Sequence, residues 1–285
     1  MTTVEKITAE SFEQVYPLFT SGSELQISRE DFKKLFVKRW GADEEYFGYV
    51  LVDEGKIVGF LGYLFSRREI AKKTYPFCNL TSWNVLPAFR KYSMQLILPI
   101  LKDQNYVITT FTARESTHLV LNKLGFEVME DHVRIIPFFP NVLFGNGNCR
   151  IIYDLVEIES KLSGKDLKLF QDHKDLNCLH VVVTLGDRYC YLIIKRAVRK
   201  KIPFGFIHYI SNFRIFPDIL LRINASICFK MGVVGLMIYE KTLNGIKIFP
   251  SFKVKLPRPA LFKSKTLKKE EVDSLYSEYF LLSGS

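Results

Sequence analysis

Residues 82–101 read SWNVLPAFRKYSMQLILPIL. This stretch begins as an apolar, β-prone run, reaches Pro87, passes Arg90 and Lys91, and continues as an amphipathic segment. The change of pattern predicts a strand that leads directly into a helix. The first N–H groups of a helix lack partners inside it, and the helix dipole places positive charge there. We therefore expect this junction to hold an anionic group, most simply a phosphate.

The rest of the first half alternates between helical and strand patterns. Two helices are predicted near the start, with Thr8 and Ser28 as N-caps. A hairpin is predicted about Asp53-Glu54-Gly55, because two β-rich runs flank that turn. The later elements are a strand over 77–87, a strand over 106–113, a helix over 116–126 that ends at Gly125, and a strand over 132–138.

The second half repeats this order of elements without repeating the residues. Residues 137–149 concentrate proline, glycine and asparagine and are the candidate junction. Beyond it we predict a helix over 166–175, a hairpin over 180–198, a strand over 204–211, a helix over 219–232 and a strand over 233–243. The recurrence indicates a degenerate internal repeat.

Two local motifs, together with this order of elements, resemble the GNAT superfamily of acyl-CoA-dependent N-acyltransferases. Residues 85–98 are similar to the family pattern V-x-P-x-x-[RQ]-x-x-G-x-[GA]-x-x-L, and residues 121–126, LNKLGF, are similar to its Y-x-K-L-G-F motif. The resemblance covers about residues 4–136. It implies an α/β fold with a GNAT-like mixed central sheet flanked by helices, and a second, degenerate GNAT-like unit. The expected domains are an acyl-CoA-binding domain over 1–140 and a basic domain over 150–285.

The resemblance also implies a co-substrate, acetyl-CoA or another acyl-CoA, whose pyrophosphate would lie at the quoted junction. The residues that match the family's coenzyme site are Asn84, Val85, Leu86, Arg90, Lys91, Tyr92, Ser93, Met94 and Gln95. The sequence departs from the family pattern in carrying Ser93 and Gln95 where small residues are expected, since Gln95 must turn away to let phosphate approach. Pro99 is expected to kink the following helix.

The usual proton-transfer groups of the family are missing. Its carboxylate base would fall at Thr81 or Ser82, and its tyrosine acid would fall at Leu121. The substitutes that the sequence offers are Ser82, which could hold a water, and Glu115 and His118 near the start of the helix after the fifth strand. An exposed or capping role is the competing interpretation of His118.

The net charge of +10 lies entirely in the second half, because residues 1–140 carry equal numbers of acidic and basic residues. Such asymmetry can mark an anionic partner, but an ordinary solvated basic surface is the preferred explanation. The aromatic residues of that half alternate as strand residues do, so core packing explains them better than base stacking, and nucleic-acid binding is not expected.

Composition excludes several other classes. The five cysteines form no C-x-x-C pair and indicate reduced thiols, and no two histidines stand at i, i+4, so no metal site is expected. The longest apolar run, 216–239, contains Arg222 and Lys230 and is too charged to cross a membrane. No signal pattern precedes the first helix, so a cytoplasmic location is expected.

Three functions remain open at this point, and the third, nucleic-acid binding through the basic half, rests on charge alone. The first is transfer of an acetyl or acyl group from coenzyme A to the amine of a small acceptor. If the basic half contributes to the acceptor site, it would favour an anionic acceptor, for example a nucleotide-linked amino sugar. The second is a binding or scaffold module that has kept the fold and lost catalysis. The oligomeric state is not predicted.

Overall fold

The computed structural model describes residues 1–20, 28–139, 149–243 and 245–282. The chain forms two compact units: unit 1 comprises Met1–Met129 and Arg258–Ser283, and unit 2 comprises Glu130–Pro257. The predicted junction over 137–149 lies mostly outside the described residues. No helix in the described part of the chain is long and apolar enough to cross a bilayer.

Strands and helices alternate along the chain much as the sequence predicts. The strands are β1 (Thr3–Lys6), β2 (Gly48–Asp53), β3 (Lys56–Ile70), β4 (Lys73–Val85), β5 (Val107–Thr110), β6 (Glu127–Pro137), β7 (Cys149–Ile152), β8 (Leu179–Leu185), β9 (Arg188–Arg199), β10 (Ile202–Ile210), β11 (Gly235–Tyr239) and β12 (Phe252–Lys263). The α-helices are α1 (Phe12–Val15), α2 (Pro17–Thr20), α3 (Arg29–Lys33), α4 (Leu98–Lys102), α5 (Glu115–Lys123), α6 (Leu155–Lys161), α7 (Gly164–His173), α8 (Phe216–Met231) and α9 (Glu278–Leu281). Short 3-10 helices cover Ala9–Ser11, Lys34–Phe36, Pro87–Leu96, Lys241–Leu243 and Lys269–Glu271.

The sheet of unit 1 is mixed. Strands β1 to β4 pair antiparallel in chain order, β4 runs parallel to β5, and β5 pairs antiparallel with the end of β12. One face is covered by α1 to α3 through a cluster of phenylalanines, in which the rings of Phe19 and Phe32 are 4.4 Å apart and Phe32 also meets Phe60 of β3. The other face packs against α4 and α5 through buried Ile100 and Leu121.

Unit 2 repeats this arrangement. Strands β7 to β10 pair antiparallel in chain order, β10 runs parallel to β11, and β11 pairs antiparallel with β6. Helix α8 connects the two parallel strands, and its apolar face is fully buried through Ile219, Ile223 and Ile227. It ends at Gly232, as predicted, where φ of +61° places that residue in the left-handed region that favours glycine.

The division of the chain differs from the predicted halves, 1–140 and 150–285. Strand β6, which the sequence places in the first half, pairs with β11 of unit 2, and the end of β12 pairs with β5 of unit 1. A parallel strand at the edge of a sheet exposes unpaired N–H and C=O groups. In unit 1 the end of β12 covers the edge of β5, and in unit 2 β6 covers the edge of β11. Local sequence patterns do not reveal such long-range pairings.

Several local predictions are confirmed. Ser28 caps α3 by accepting a hydrogen bond from the N–H of Asp31, and the hairpins turn at Glu54-Gly55 and Gly186-Asp187. The predicted first two helices are shorter than expected and break into α1, α2, α3 and 3-10 turns. Thr8 precedes the first 3-10 turn without making a side-chain cap.

Substitution near the end of β12 tests the assignment of residues 258–263 to unit 1. Both tryptophans, Trp40 and Trp83, lie in unit 1, so tryptophan fluorescence reports on that unit. Leu261 is fully buried, and Leu261→Ala should lower the free energy of unfolding by about 2–5 kcal/mol in urea titrations followed by this signal. Leu119→Ala, the same change at a residue of unit 1 that is 59% exposed, is the control and should change the free energy by less than about 0.5 kcal/mol. An unchanged fluorescence transition in Leu261→Ala would contradict the assignment.

Candidate functional site

The junction after β4 is helical rather than open. Residues Pro87–Leu96 form a 3-10 helix, a conformation in which N–H groups donate to carbonyls three residues earlier. Hydrogen bonds close both ends, from Phe89 N–H to Leu86 O at 2.9 Å and from Ile97 N–H to Met94 O at 3.3 Å. The prediction of a cradle of free amides was therefore wrong for this segment, and an anion here would have to contact side chains.

The helix after this segment is short. Helix α4 spans Leu98–Lys102, and Pro99 occupies its first turn, where a missing N–H costs no internal hydrogen bond. The predicted kink at Pro99 is thus replaced by a new helix start.

Strands β4 and β5 separate beside this segment. They pair only from Phe77 to Asn79, opposite Val107 to Thr109. Farther along β4, Ser82 and Trp83 lie opposite the single residue Leu61 of β3, and Ser82 has φ of +55°. This is a β-bulge, which bends a strand and re-aims its side chains. The bulge follows the last β4–β5 pair, so the two strands diverge and leave an edge of β4 for a ligand.

A cleft of two adjoining cavities occupies this divergence. The outer cavity, of about 360 Å³, is lined by Trp83, Asn84, Val85, Arg90, Ser93, Arg114, Ser116, Thr117 and Val120. The inner cavity, of about 80 Å³, is lined by residues of α2, β3, β4, β5, α5 and the segment after α9, namely Phe19, Leu61, Leu80, Thr81, Ser82, Trp83, Asn84, Thr110, Thr112, Ala113, Arg114, Thr117, Leu121 and Leu282. Four residues line both cavities, so the cleft is continuous.

Four of the predicted coenzyme residues line the outer cavity: Asn84, Val85, Arg90 and Ser93. Asn84 also donates a hydrogen bond to Leu18 O at 2.6 Å, which fixes its side chain. The other five predicted residues do not line either described cavity.

Those five divide into two groups. Leu86, Tyr92 and Met94 pack against the core beneath α4. Lys91 and Gln95 are exposed, so Gln95 does not block the cleft, and the ammonium of Lys91 lies 4.9 Å from the centre of the Tyr92 ring.

Among the predicted catalytic residues, Ser82 alone lines the cleft. Its hydroxyl is 3.3 Å from that of Thr81. Glu115 is exposed at the start of α5, and the ring of His118 is directed to Asn122, with Nε2 3.4 Å from Nδ2. Neither Glu115 nor His118 lines either described cavity, and His118 lies within α5 and caps neither of its ends.

The sequence analysis missed the residues that α5 contributes. Arg114, Ser116, Thr117 and Val120 line the cleft, whereas Glu115 and Leu119 are exposed. Helical spacing carries this information, since positions 116, 117 and 120 share one face of a helix. The face could have been found by placing Leu121 in the core first.

A buried carboxyl also lies close to the cleft. Glu278 of α9 is fully buried, and its Oε1 accepts hydrogen bonds from Phe111 N–H at 3.3 Å and from the hydroxyl of Thr112 at 2.9 Å. The N–H of Glu278 donates to Asn79 Oδ1 at 3.1 Å. Burial raises the pKa of this carboxyl to about 7, although the hydrogen bonds from Thr112 and the backbone oppose the shift. No sequence motif marked this residue.

The basic residues of the second half do not form a single surface. Lys195 is 5% exposed and points its ammonium toward Asn177 O. Lys263 and Lys265 belong to unit 1, where they donate to Leu124 O and Gln104 Oε1. Part of the charge that suggested an anionic partner therefore serves local packing. In the described part of the chain, no three metal-ligating side chains converge.

Comparison with known proteins identifies the fold. No family model matches this chain, and no curated protein sequence matches it. Solved structures do: a GCN5-related N-acetyltransferase from Anabaena variabilis superimposes with a TM-score of 0.59 at 11% identity, covering 92% of this chain and 72% of that one. A GCN5-related N-acetyltransferase from Kribbella flavida gives 0.59 at 13%, covering 92% and 70%, and Eis1 of Mycobacterium abscessus gives 0.51 at 11%, covering 93% and 73%.

The chain therefore has the GCN5-related N-acetyltransferase fold, and the predicted fold class, a mixed sheet flanked by helices, is confirmed. At these identities the likeness concerns the fold. The roles of individual residues rest on the geometry of the cleft.

The raised pKa of Glu278 makes a prediction for stability. Because its pKa in the folded state, about 7, exceeds the ordinary value of 4.5, the folded state holds this proton more tightly than the unfolded state does. The stabilisation is complete below pH 4.5 and is lost as the pH rises to 7. Glu278→Gln, a neutral isostere, should therefore gain stability relative to wild type across this range, by about 3 kcal/mol in all at about 1.4 kcal/mol per pH unit.

Urea titrations at pH 5, 6, 7 and 8 measure this difference. Glu115→Gln, which removes an exposed carboxyl, is the control and should show a difference that does not vary with pH in this way. A stability difference between Glu278→Gln and wild type that stays constant from pH 5 to pH 8 would contradict the raised pKa.

Proposed function

We propose that unit 1 binds an acyl-CoA in the cleft between β4 and α5 and transfers its acyl group to the amine of a small acceptor. One observation carries the proposal: a continuous cleft with Arg90 and Arg114 at its outer part narrows, where β4 and β5 separate, to a smaller inner part that is lined mostly by uncharged side chains and shares Arg114 with the outer part. Acyl-CoA has the matching polarity, since its diphosphate is anionic and its pantetheine arm and acyl group are neutral.

The two arginines are available to a ligand. Arg90 and Arg114 are exposed, and within the described part of the chain neither guanidinium makes an ion pair or hydrogen bond. A guanidinium binds phosphate oxygens in a bidentate manner, and such charge-assisted bonds are stronger than neutral ones. Ser93, Ser116 and Thr117 add hydroxyl donors on the same walls.

The 3-10 helix changes how phosphate would be held. Because most amides of Pro87–Leu96 are bonded within the helix, the arginine side chains would have to supply much of the affinity for the diphosphate. Side-chain charges at the surface are screened by salt far more than a buried amide cradle is. Binding should accordingly weaken as the ionic strength rises.

The inner cavity would hold the acyl group of the coenzyme and limit its length. It is the smaller of the two and is bordered by apolar Leu61, Leu80 and Leu121, which favours an acetyl or another short acyl group. The edge of β4 beyond Asn79 is not paired with β5, so its backbone groups can receive the amides of a pantetheine arm.

The corresponding junction of unit 2 lies between β10 and α8. Ile215 and Phe216, at the start of α8, are fully buried and fill that position with core packing. We therefore assign the coenzyme to unit 1 and propose that unit 2 binds none.

A binding module without catalysis is the second candidate. Two observations favour it. The amides of the 3-10 helix are engaged in helical hydrogen bonds, and positions 81 and 82 carry Thr81 and Ser82 instead of a carboxylate. Release of coenzyme A thiol from acetyl-CoA in the presence of primary amines separates the two functions. Binding with thiol release supports the transferase, binding without thiol release supports the module, and no binding rejects both.

Charge reversal tests the assignment of the arginines. Arg90→Glu and Arg114→Glu should each weaken acetyl-CoA binding by about 10–100-fold in calorimetric titrations, because each removes a charge-assisted bond of about 1.5–3 kcal/mol and adds repulsion. Lys91→Glu is the control, since Lys91 makes the same change of charge one residue away but does not line the cleft. Equal losses in Arg90→Glu and Lys91→Glu would indicate a general field effect and would contradict a site at Arg90.

Filling the cleft tests its location. Thr117 lines both cavities, so Thr117→Trp should abolish measurable binding of acetyl-CoA. Leu119→Trp places the same bulk on the exposed face of α5 and should leave the affinity within about twofold of wild type. Retained affinity in Thr117→Trp, with circular dichroism like that of wild type, would place the ligand elsewhere.

A further inference from the structure

A buried polar cluster lies at the point where β4 and β5 separate. Asn79, the last β4 residue paired with β5, donates from Nδ2 to the hydroxyl of Thr109 at 3.2 Å and accepts from the N–H of Glu278 at 3.1 Å. Glu278 Oε1 in turn accepts from Phe111 N–H and from Thr112. Asn79 and Glu278 are at least 98% buried.

Only one of the two carboxyl oxygens of Glu278 is hydrogen-bonded in this cluster. Glu278 Oε2 is buried and has no hydrogen-bond partner in the described part of the chain. A glutamine would make the same bonds through its carbonyl oxygen without the cost of burying a charge. A carboxyl that is costly to ionise and only half satisfied is typical of a functional site rather than of a structural one.

Thr112 connects this carboxyl with the cleft. It follows β5, is only half-buried, and lines the inner cavity, while its hydroxyl is 2.9 Å from Glu278 Oε1. A hydroxyl is both a donor and an acceptor, so it can pass a proton from the cavity to the carboxylate. Glu278 itself does not line the described cavity, and Thr112 is its connection to it.

We propose that Glu278 receives, through the hydroxyl of Thr112, the proton that the acceptor amine loses during acyl transfer. This inference rests on the proposed function. The amine nitrogen bonds to the thioester carbon as the proton moves from nitrogen to Thr112 Oγ1 and the Thr112 proton moves to Glu278 Oε1. The C–S bond then breaks, and the proton returns by the same route to the leaving thiolate, so the relay ends as it began.

The surroundings of Glu278 suit this role. The groups that β4 and β5 contribute to its hydrogen bonds, from Asn79, Phe111 and Thr112, are all uncharged. The nearest ionisable side chain on its own helix, Tyr279, donates its hydroxyl to Phe111 O. With the pKa of Glu278 raised to about 7, the carboxyl can both accept and return a proton at neutral pH.

Infrared difference spectroscopy tests the relay without requiring a known acceptor. The C=O stretching band of protonated Glu278, identified by its loss in Glu278→Gln, should shift within the mixing time when the full-length protein is transferred from H₂O to D₂O. In Thr112→Val, which keeps the shape and removes the hydroxyl, the same shift should slow by about tenfold or more, because exchange then requires local opening. Thr110→Val is the control, since Thr110 lines the inner cavity without bonding to Glu278, and should exchange as fast as wild type.

A band that exchanges no faster than the buried backbone amides, and at the same rate in wild type and Thr112→Val, would overturn the relay.

The proposed function is tested separately by calorimetry with acetyl-CoA on the same variants. Fast exchange dependent on Thr112 in a protein that does not bind acetyl-CoA would leave a proton path and reject the transferase. With a primary amine for which wild type releases coenzyme A thiol, Glu278→Gln should lower kcat by about 10²–10⁴-fold and remove the dependence of kcat on a group titrating near 7, with acetyl-CoA affinity unchanged. An unchanged kcat and pH profile would overturn the catalytic role.

Discussion

The divergence of β4 from β5 is the constraint on which the candidate site depends. Parallel pairing holds the two strands together through Asn79, and the bulge at Ser82 then bends β4 away. Backbone groups that a continuous sheet would bond internally are left for a ligand. The bulge therefore opens a cleft beside β4. The other walls of this cleft are formed by α5, the 3-10 helix and the chain after α9.

The second feature of the candidate site is that side chains, rather than backbone amides, offer the hydrogen-bond donors for an anion. Helical hydrogen bonds occupy most amides of Pro87–Leu96, so the positive charge at the outer cavity comes from Arg90 and Arg114. Amides are fixed and insensitive to salt, whereas guanidinium groups are mobile and screened. Single substitutions of these arginines therefore test the proposed site.

The sequence predicted the elements well and the site only in part. Hydrophobic periodicity, the Ser28 cap and the glycine at 232 are local signals, and each is read correctly because neighbouring residues decide it. The motif over residues 85–98 indicated Arg90 and Ser93, and both line the outer cavity. It did not indicate the 3-10 helix over Pro87–Leu96, because the motif specifies residue types and not the backbone conformation between them.

Other features could not be predicted because they join distant parts of the chain. Glu278 meets Asn79 and Thr112 across more than 160 residues, and β12 completes a sheet that begins at residue 3. Within one sequence, no periodicity or spacing records such pairings.

Hydrogen exchange measured by mass spectrometry, with and without acetyl-CoA, tests the central claim most directly. The account predicts slower exchange on adding acetyl-CoA in peptides that cover residues 80–96 and 112–120, and no change in those that cover β10 and α8 of unit 2. Slower exchange confined to unit 2, or no change in the peptides of β4 and α5 at saturating ligand, would contradict it.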